Sequence, residues 1–340
     1  MLFRSSTDKY LKTPYTQSIN LTIERQITRD LALEISYVGK YAQKLEGHLL
    51  WDAAEFRPDP RTGAPASLQN ADNRVHYPAT MGLYKTTSKL LGNDYRSGYN
   101  SAQLRVNKRF SRGFSFLGSY VFSKGLDNLV KSDYGNTTGN GNPFDLKYDK
   151  GRSNYDRTHV FTLSWLWTQN HKFSESVARR LLENWSIGAY HTIQSGSPLS
   201  ILMGTDVALD GTATNLQHAQ LASGVKYADI TLDHPSRDAF ANRFFNTAAF
   251  VPVLQVPKGI YGNMGRNVFN GPALINTDFT LMKDVFVREP LKAQFRGEFF
   301  NAFNQVVFNN PATSVSSGSF GRITGARSGR VVQVALKLIW

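Results

Sequence analysis

The sequence contains no cysteine, so a disulfide scaffold and a thiolate metal site are both excluded. It has no run approaching the about 18 apolar residues that a membrane-crossing helix needs. The first nine residues, Met1 to Lys9, lack an apolar stretch followed by a small-residue cleavage site and are not a signal peptide. Charged residues are few at 19%, while hydrophobic residues reach 41%, a balance that fits neither a disordered chain nor a helical membrane protein. Histidine is sparse and dispersed, with no His-x-x-x-His or His-Glu pair, so no metal site is expected. Ser195-Gly-Ser197 is not a nucleophile elbow. Gly139-Asn-Gly141 opens no helix, and Asp206 to Gly211 has too few acids for a calcium loop. No catalytic residue and no cofactor is therefore expected, and the chain does not read as an enzyme.

The net charge of +13 raises nucleic acid as a partner. The basic residues, however, form no run or stripe, and neither a recognition helix nor an aromatic-plus-basic strand is present. A positive lumen or loop surface facing anionic lipopolysaccharide or an anionic solute is the better reading.

What the chain has in plenty is alternation. In the last eleven residues, Val332, Val334, Leu336, Leu338 and Trp340 fall on one face of an extended strand, because strand side chains alternate with a period of two. Eight more segments alternate in the same way. Their apolar faces carry Tyr15, Ile19, Leu21, Ile23 and Ile27; Leu31, Leu33, Ile35 and Tyr37; Ala102, Leu104, Val106 and Phe110; and Phe114, Phe116, Tyr120 and Phe122. The next three carry Phe161, Leu163, Trp165 and Trp167; Trp185, Ile187, Ala189 and Ile193; and, more weakly, Phe279 and Leu281. The eighth carries Leu291, Ala293, Phe295 and Phe299.

A soluble β-sandwich also has one apolar face, but its strands cluster near about five or six residues. Several segments here are longer, about what a tilted strand needs to cross a bilayer. The connections alternate between short (Thr28–Asp30, Ser111–Gly113, Gln169–Asn184, Asp284–Pro290) and long (about Tyr41–Gly98, Lys124–Tyr155, Ser197–Leu274, Asn304–Gly329). Short periplasmic turns and long external loops mark an outer-membrane barrel. The expected fold is thus all-β, an antiparallel transmembrane β-barrel with long external loops. Tyr37, Tyr120, Phe122, Trp165, Trp167 and Trp185 are its expected interfacial girdle. If short turns are periplasmic, the first and the ninth strand both run inward. A complete barrel normally has an even number of strands, so residues 1–340 are expected to be the C-terminal portion of a larger barrel.

Beyond this pattern, Pro14-Tyr-Thr-Gln-Ser-Ile-Asn-Leu-Thr-Ile-Glu-Arg-Gln, Leu33-Glu-Ile-Ser-Tyr-Val-Gly-Lys and Tyr99-Asn-Ser-Ala-Gln-Leu-Arg-Val-Asn-Lys-Arg-Phe resemble TonB-dependent receptors of the Oar-like, acidobacterial type. Gly262-Asn-Met-Gly-Arg-Asn, Phe295-Arg-Gly-Glu-Phe-Phe-Asn-Ala-Phe-Asn and Phe320-Gly-Arg-Ile-Thr are similar to further blocks of that family. The resemblance implies about nine strands of a roughly 22-stranded barrel whose lumen is blocked by a plug. It places the chain in the bacterial outer membrane and implies TonB-dependent uptake of a large solute, an oligosaccharide, a peptide or a metal chelate. The plug and the N-terminal regulatory-like domain are absent from these 340 residues, so contact with the TonB system is expected only through that missing plug. The final strand, with Val334, Leu336, Leu338 and Trp340, resembles the signal read by the outer-membrane barrel assembly machinery. Arg105, Arg109, Arg296 and Glu298 are expected to face the lumen, in contact with plug or solute or in ion pairs across neighbouring strands. Two other functions remain open at this point, a passive porin or surface-adhesion barrel and a soluble carbohydrate-binding sandwich.

Overall fold

The computed structural model describes residues 3–77, 79, 81, 84–128, 140–172, 174, 182–212, 216–288 and 291–340. Each of the nine alternating segments forms a strand: β1 (Tyr15–Gln26), β2 (Leu31–Leu49), β3 (Tyr84–Ser111), β4 (Phe114–Asp127), β5 (His159–Thr168), β6 (Trp185–Gln194), β7 (Leu274–Arg288), β8 (Leu291–Phe300) and β9 (Val331–Ile339). They pair antiparallel in strict chain order from β1 to β9 as one continuous meander, to which the short segments Phe3–Thr7, parallel to β3, and Gly151–Arg152, antiparallel to β4, are added at the long-loop end. Two packed sheets, as in a soluble sandwich, are not what these strands build. The α-helix that lies whole among the described residues is the six-residue Arg237–Asn242, and no helix of the described residues is long and apolar enough to cross a membrane.

The register puts like with like. Leu21, Tyr37, Ala102, Phe122 and His159 form one row across β1 to β5. Glu24, Glu34, Arg105, Ser119, Thr162, Thr192 and Asn276 form a row on the opposite, polar face. One face is therefore predominantly apolar across the sheet, and on β1 it is bare: Leu21 and Ile23 are 63% and 66% exposed. An apolar face of this size left uncovered is unstable in water and stable in hydrocarbon.

Short turns close one end. Between β3 and β4, Arg112 and Gly113 both have positive φ, 51° and 80°, the backbone of the two-residue turn that matches strand twist. Gly113 is required twice over, because a Cβ there would also lie 2.6 Å from the Thr168 carbonyl oxygen. At the neighbouring turn, Thr28 Oγ1 donates to Asp30 Oδ1 (2.8 Å), while Lys108 Nζ (3.1 Å) and Ser111 Oγ donate to Oδ2. These bonds tie the β1–β2 turn to the β3–β4 turn. They hold the Asp30 carboxyl well below its ordinary pKa of 3.8, the Ser111 hydrogen bond contributing most.

Two boundaries differ from the sequence expectation. The connection expected at Tyr41–Gly98 is much shorter, because β2 continues to Leu49 and β3 begins at Tyr84. Register shifts between Ala42 and Leu45 and between Leu45 and Gly47, with Lys44 at φ 56°, break the alternation without ending the ladder. Likewise β7 runs to Arg288 through the turn expected at Asp284–Pro290. Asp284 is accommodated inside the strand by Gln294 Nε2 at 2.9 Å and Lys292 Nζ at 2.5 Å on β8. Glu289 and Pro290 lie outside the described residues.

Candidate ligand-binding cap at the long-loop end

The four long connections gather at the opposite end of the sheet, where the chain builds a hydrophobic core. Ile201, Ile230, Phe245, Ala249, Phe250 and Met264 are buried together, and the half-buried Phe269 and Phe320 pack against them. Phe245 meets Phe250, Phe269 and Phe320 at ring-centre distances of 5.9, 5.5 and 5.2 Å, all edge-on, the arrangement that aromatic quadrupoles favour. A second buried cluster joins Met203, Val207 and Val256. Local turns place these residues. The Ser236 hydroxyl caps the short helix through the Ala239 N–H at 3.1 Å. Gly262 brings the backbone so close to the next segment that a Cβ would lie 2.0 Å from the His218 carbonyl oxygen.

Buried polar groups fasten this cap to the sheet. The Arg266 guanidinium pairs with the Asp127 carboxylate at the end of β4, and its Nη1 also reaches the Asp149 carbonyl at 3.1 Å. Beside it, Asn267 Nδ2 donates to the Arg152 carbonyl and to Asn154 Oδ1, both at 2.7 Å. Arg152 pairs with the buried Asp156 at 2.8 Å, and Asp156 Oδ1 accepts from the Gly125 N–H of β4 at 2.7 Å. Arg74 is fully buried in a cage of carbonyls, donating to Ser67 and Leu209 at 2.8 Å each and also to Glu55. Its pKa lies below the ordinary arginine value because burial disfavours the charge, with Asp206 and Asp59 opposing. Such contacts bind the β2–β3, β4–β5 and β6–β7 loops into one body.

Two further networks lie inside. His218, buried, stacks on Tyr148 at 4.3 Å; its Nδ1 is 2.8 Å from the Met264 carbonyl oxygen. Nε2 lies 3.1 Å from Asp149 Oδ1 without hydrogen-bond alignment, which leaves that buried oxygen without an aligned donor. The Asp210 carboxylate accepts from the Thr212 hydroxyl at 2.7 Å and the Tyr261 hydroxyl at 2.9 Å. Burial, with Asp206 nearby, raises the Asp210 pKa above 3.8. Burial and Asp210 together push the Tyr261 hydroxyl well above the ordinary tyrosine value.

Where three of these loops meet, a cavity of about 340 Å³ opens, walled by Phe56, His76, Phe144 and Tyr261. Phe56 and Phe144 are about half exposed, and His76 lies 5.4 Å from the Phe144 ring. His76 Nδ1 is 2.7 Å from Glu55 Oε1, which places an imidazole–carboxylate pair at the aromatic wall. Ring faces for apolar contact and two polar groups for hydrogen bonds are what a site for a large amphiphilic ligand needs. Among the described residues no cluster of His, Cys, Asp or Glu could hold a metal ion.

The residues singled out in the sequence lie elsewhere. Val334, Leu336 and Leu338 line the apolar face of β9, and Trp340, one residue past its end, is 86% exposed. Tyr37, Tyr120 and Phe122 stand toward the long-loop end and Trp165, Trp167 and Trp185 toward the short-turn end. The rows of Phe114 and Phe122 are eight residues apart, about 26 Å of strand at about 3.3 Å per residue. Tyr37 donates to Asn100 Oδ1 at 2.6 Å, the Tyr120 hydroxyl contacts His159 Nδ1 at 2.7 Å, and Trp165 Nε1 donates to His191 Nε2 at 3.0 Å. Lys283 Nζ sits 5.6 Å over the Trp185 ring. The four charges are not brought together. Arg105 faces Glu34 at 3.8 Å on the neighbouring strand, while Arg109 donates to the Arg29 carbonyl in the β1–β2 turn. Arg296 and Glu298 pair within β8 at 2.6 Å. The cap residues Arg74, Tyr148 and His218 escaped sequence reading, since isolated buried polar residues in long loops follow no period, and Arg266 stood out only as part of the block Gly262-Asn-Met-Gly-Arg-Asn.

The family model of the outer membrane beta barrel domain matches residues 3–333. No curated protein matches the sequence. Among solved structures, the fold is similar to the outer membrane transporter YddB from Escherichia coli, with a TM-score of 0.52 at 12% identity over 98% of this chain and 34% of that one. More distant likenesses are the FrpB iron transporter from Neisseria meningitidis (TM-score 0.43, 12% identity, 98% of this chain and 32% of that one) and the pyoverdine-bound FpvA of P. aeruginosa (0.44, 8%, 96% and 27%). The chain thus spans about a third of the length of these proteins. It belongs to the outer membrane beta barrel domain family and resides in the bacterial outer membrane.

Proposed function

We propose that this outer-membrane chain is the sheet-and-cap portion of a receptor of the Oar-like, TonB-dependent kind, importing a large solute by energy-coupled uptake. The observation that carries the reading is the aromatic cavity at the meeting of three external loops, lined by Phe56, His76, Phe144 and Tyr261. Its rings and its Glu55–His76 pair suit an oligosaccharide, a peptide or a metal chelate, bound and then passed inward rather than chemically altered. Coupling to the TonB system runs, in this reading, through a plug in the full-length receptor. The polar face with Arg105, Arg109, Arg296 and Glu298 looks onto the lumen. Tyr37, Tyr120, Phe122, Trp165, Trp167 and Trp185 form the two interfacial bands, and Val334, Leu336, Leu338 and Trp340 are read by the barrel assembly machinery.

Uptake of labelled oligosaccharides, peptides and ferric chelates by cells producing the full-length receptor tests this. One solute class is expected to accumulate, and accumulation stops when the TonB system is deleted. Phe56→Ala with Phe144→Ala is expected to weaken surface binding about tenfold while the membrane level of the protein holds. Uptake that persists without the TonB system, or an open ohmic pore in planar bilayers, overturns the reading in favour of a passive porin.

A further inference from the structure

The cap meets the polar face of the sheet at a second cavity, of about 280 Å³. Gln194 of β6 and Leu274 of β7 line it, paired with each other two residues past the row of Thr192 and Asn276. The cavity thus stands where the polar face ends and the long loops begin. Its other walls come from two further loops, with Arg157 from the β4–β5 connection and Asn309, Asn310 and Arg327 from the β8–β9 connection. Backbone bonds fix those walls: the Asn309 N–H donates to the Gly325 carbonyl at 3.0 Å and the Arg327 N–H to the Val307 carbonyl at 2.8 Å. Asn310 Nδ2 donates to Ser197 Oγ at 2.8 Å and ties the β8–β9 loop to the end of β6.

Charge in this cavity is one-sided. Among the described residues that line it, two are arginines and none is an aspartate or glutamate. Arg157 is half-buried, and its Nη1 donates to the Asp156 and Asn154 carbonyls at 2.7 and 3.2 Å. Those bonds hold the guanidinium in place but supply no countercharge. The adjacent Asp156 carboxylate is engaged elsewhere, Oδ1 accepting from the Gly125 N–H at 2.7 Å and Oδ2 from Arg152 Nε at 2.9 Å. Burial accordingly lowers the Arg157 pKa, with Asp156 opposing the shift. Arg327 is exposed, and among the described residues no carboxylate lies within ion-pair distance of either arginine. A guanidinium already desolvated and left unpaired gains by the arrival of an anion, and its planar fork matches the oxygens of a carboxylate or phosphate. Three side-chain amides, those of Gln194, Asn309 and Asn310, line the same cavity. Each offers both donors and an acceptor, which suits the hydroxyl-rich ring of a sugar.

We propose that this cavity is a subsite for an acidic sugar residue, its anionic group bound by Arg157 and Arg327 and its hydroxyls by Gln194 and Asn309. The inference rests on the reading of the chain as a solute receptor and narrows that solute to an acidic oligosaccharide. A uronate or a sugar phosphate supplies the same anionic chemistry.

Isothermal titration of the full-length receptor in detergent micelles tests the site with two pairs of probes, trigalacturonate against its methyl ester and phosphorylated against plain maltotriose. In one of the pairs the acidic form is expected to bind at least about tenfold tighter than its uncharged counterpart. Arg157→Ala with Arg327→Ala is expected to abolish that preference. Arg327→Ala alone, at an exposed side chain, is expected to lower it at least about threefold while the membrane level of the protein holds, so a folding defect in the double variant does not hide the answer. Arg237→Ala with Lys258→Ala, elsewhere on the cap, leaves it intact. No charge preference in either pair, an unchanged preference in the double variant, or equally tight binding of triglutamate would each overturn the inference. Uptake separates its failure from that of the receptor reading. A neutral solute imported through the TonB system leaves that reading standing and removes this one, whereas binding as expected with entry that needs no TonB system does the reverse.

Discussion

In the sheet, Leu21, Ile23 and Val334 are 63%, 66% and 80% exposed, whereas in the cap Phe245, Ile201 and Met203 are 1% exposed or less. The two regions share one chain and one composition but bury their apolar groups in different media. The sheet places them on a single outward face and depends on hydrocarbon to cover it. The cap stands in water, so it must build an interior of its own and fasten that interior with buried polar pairs such as Arg266–Asp127. The same kind of substitution should therefore have opposite consequences in the two regions.

The largest separation is expected inside the cap. Phe245→Ala removes the ring on which Phe250, Phe269 and Phe320 converge and is expected to cost about 3–5 kcal/mol. Chemical denaturation followed by limited proteolysis should show the loops cleaved at low denaturant while the β1–β9 ladder persists. Simultaneous loss of both regions would show that sheet and cap form one cooperative unit. Next in size is Leu163→Arg, which puts a charge midway between the aromatic bands and is expected to cost about 2–4 kcal/mol in a bilayer. The comparison change Leu254→Arg, at a cap residue that is 96% exposed, should shift stability by less than about 0.5 kcal/mol. Refolding into lipid vesicles measures both, and equal effects would remove the distinction of media. Gly113→Ala, which strains a positive-φ turn and crowds the Thr168 carbonyl, is expected to cost about 1–2 kcal/mol in the sheet and nothing in the cap.

The smallest effect is also the most discriminating, because its sign differs between the regions. The Asp30 pKa is depressed in the folded short-turn end. Its contribution is fully present above the ordinary carboxylate value of 3.8 and is lost as pH falls through the lower folded value. The Asp210 pKa is raised in the folded cap, so the folded state holds that proton more tightly than the unfolded chain. Cap stability accordingly declines as pH rises from 3.8 through the higher folded value. Hydrogen exchange from strongly to mildly acid pH, below 3.8 for the turn and above it for the cap, should show Asp30→Asn flattening the pH response of the turn and Asp210→Asn that of the cap. Slopes of the same sign in both regions would contradict the assignment.

Much of the sheet was legible, for a physical reason: hydrocarbon demands apolar groups at every second residue, and Ile19, Leu21 and Ile23 or Val334, Leu336 and Leu338 supply them without interruption. Legibility stopped where geometry broke the period. The upper parts of β2 and β3 are strand by hydrogen bonding, but the shifted register around Lys44 and Leu45 removes the alternation that would reveal them. Most of the cap was not legible. Phe245, Met264 and Phe320 come from separate segments and meet only in three dimensions. Arg74 and Arg266 look in sequence like any solvated arginine, although both are buried. The quoted blocks Gly262-Asn-Met-Gly-Arg-Asn and Phe320-Gly-Arg were the available signal. The first holds the close approach at Gly262, the core residue Met264 and the Arg266–Asn267 clamp.

That clamp has a bearing on how the protein can change. Arg266 and Asn267 grip the base of the cap, while Phe56 and Phe144 stand half exposed at the cavity. Substitutions around the cavity leave the base fastened, so its lining can change over generations while the scaffold persists. Selection acting on such a molecule should leave a gradient, with tolerance greatest at the loop crests and falling steeply toward Arg266.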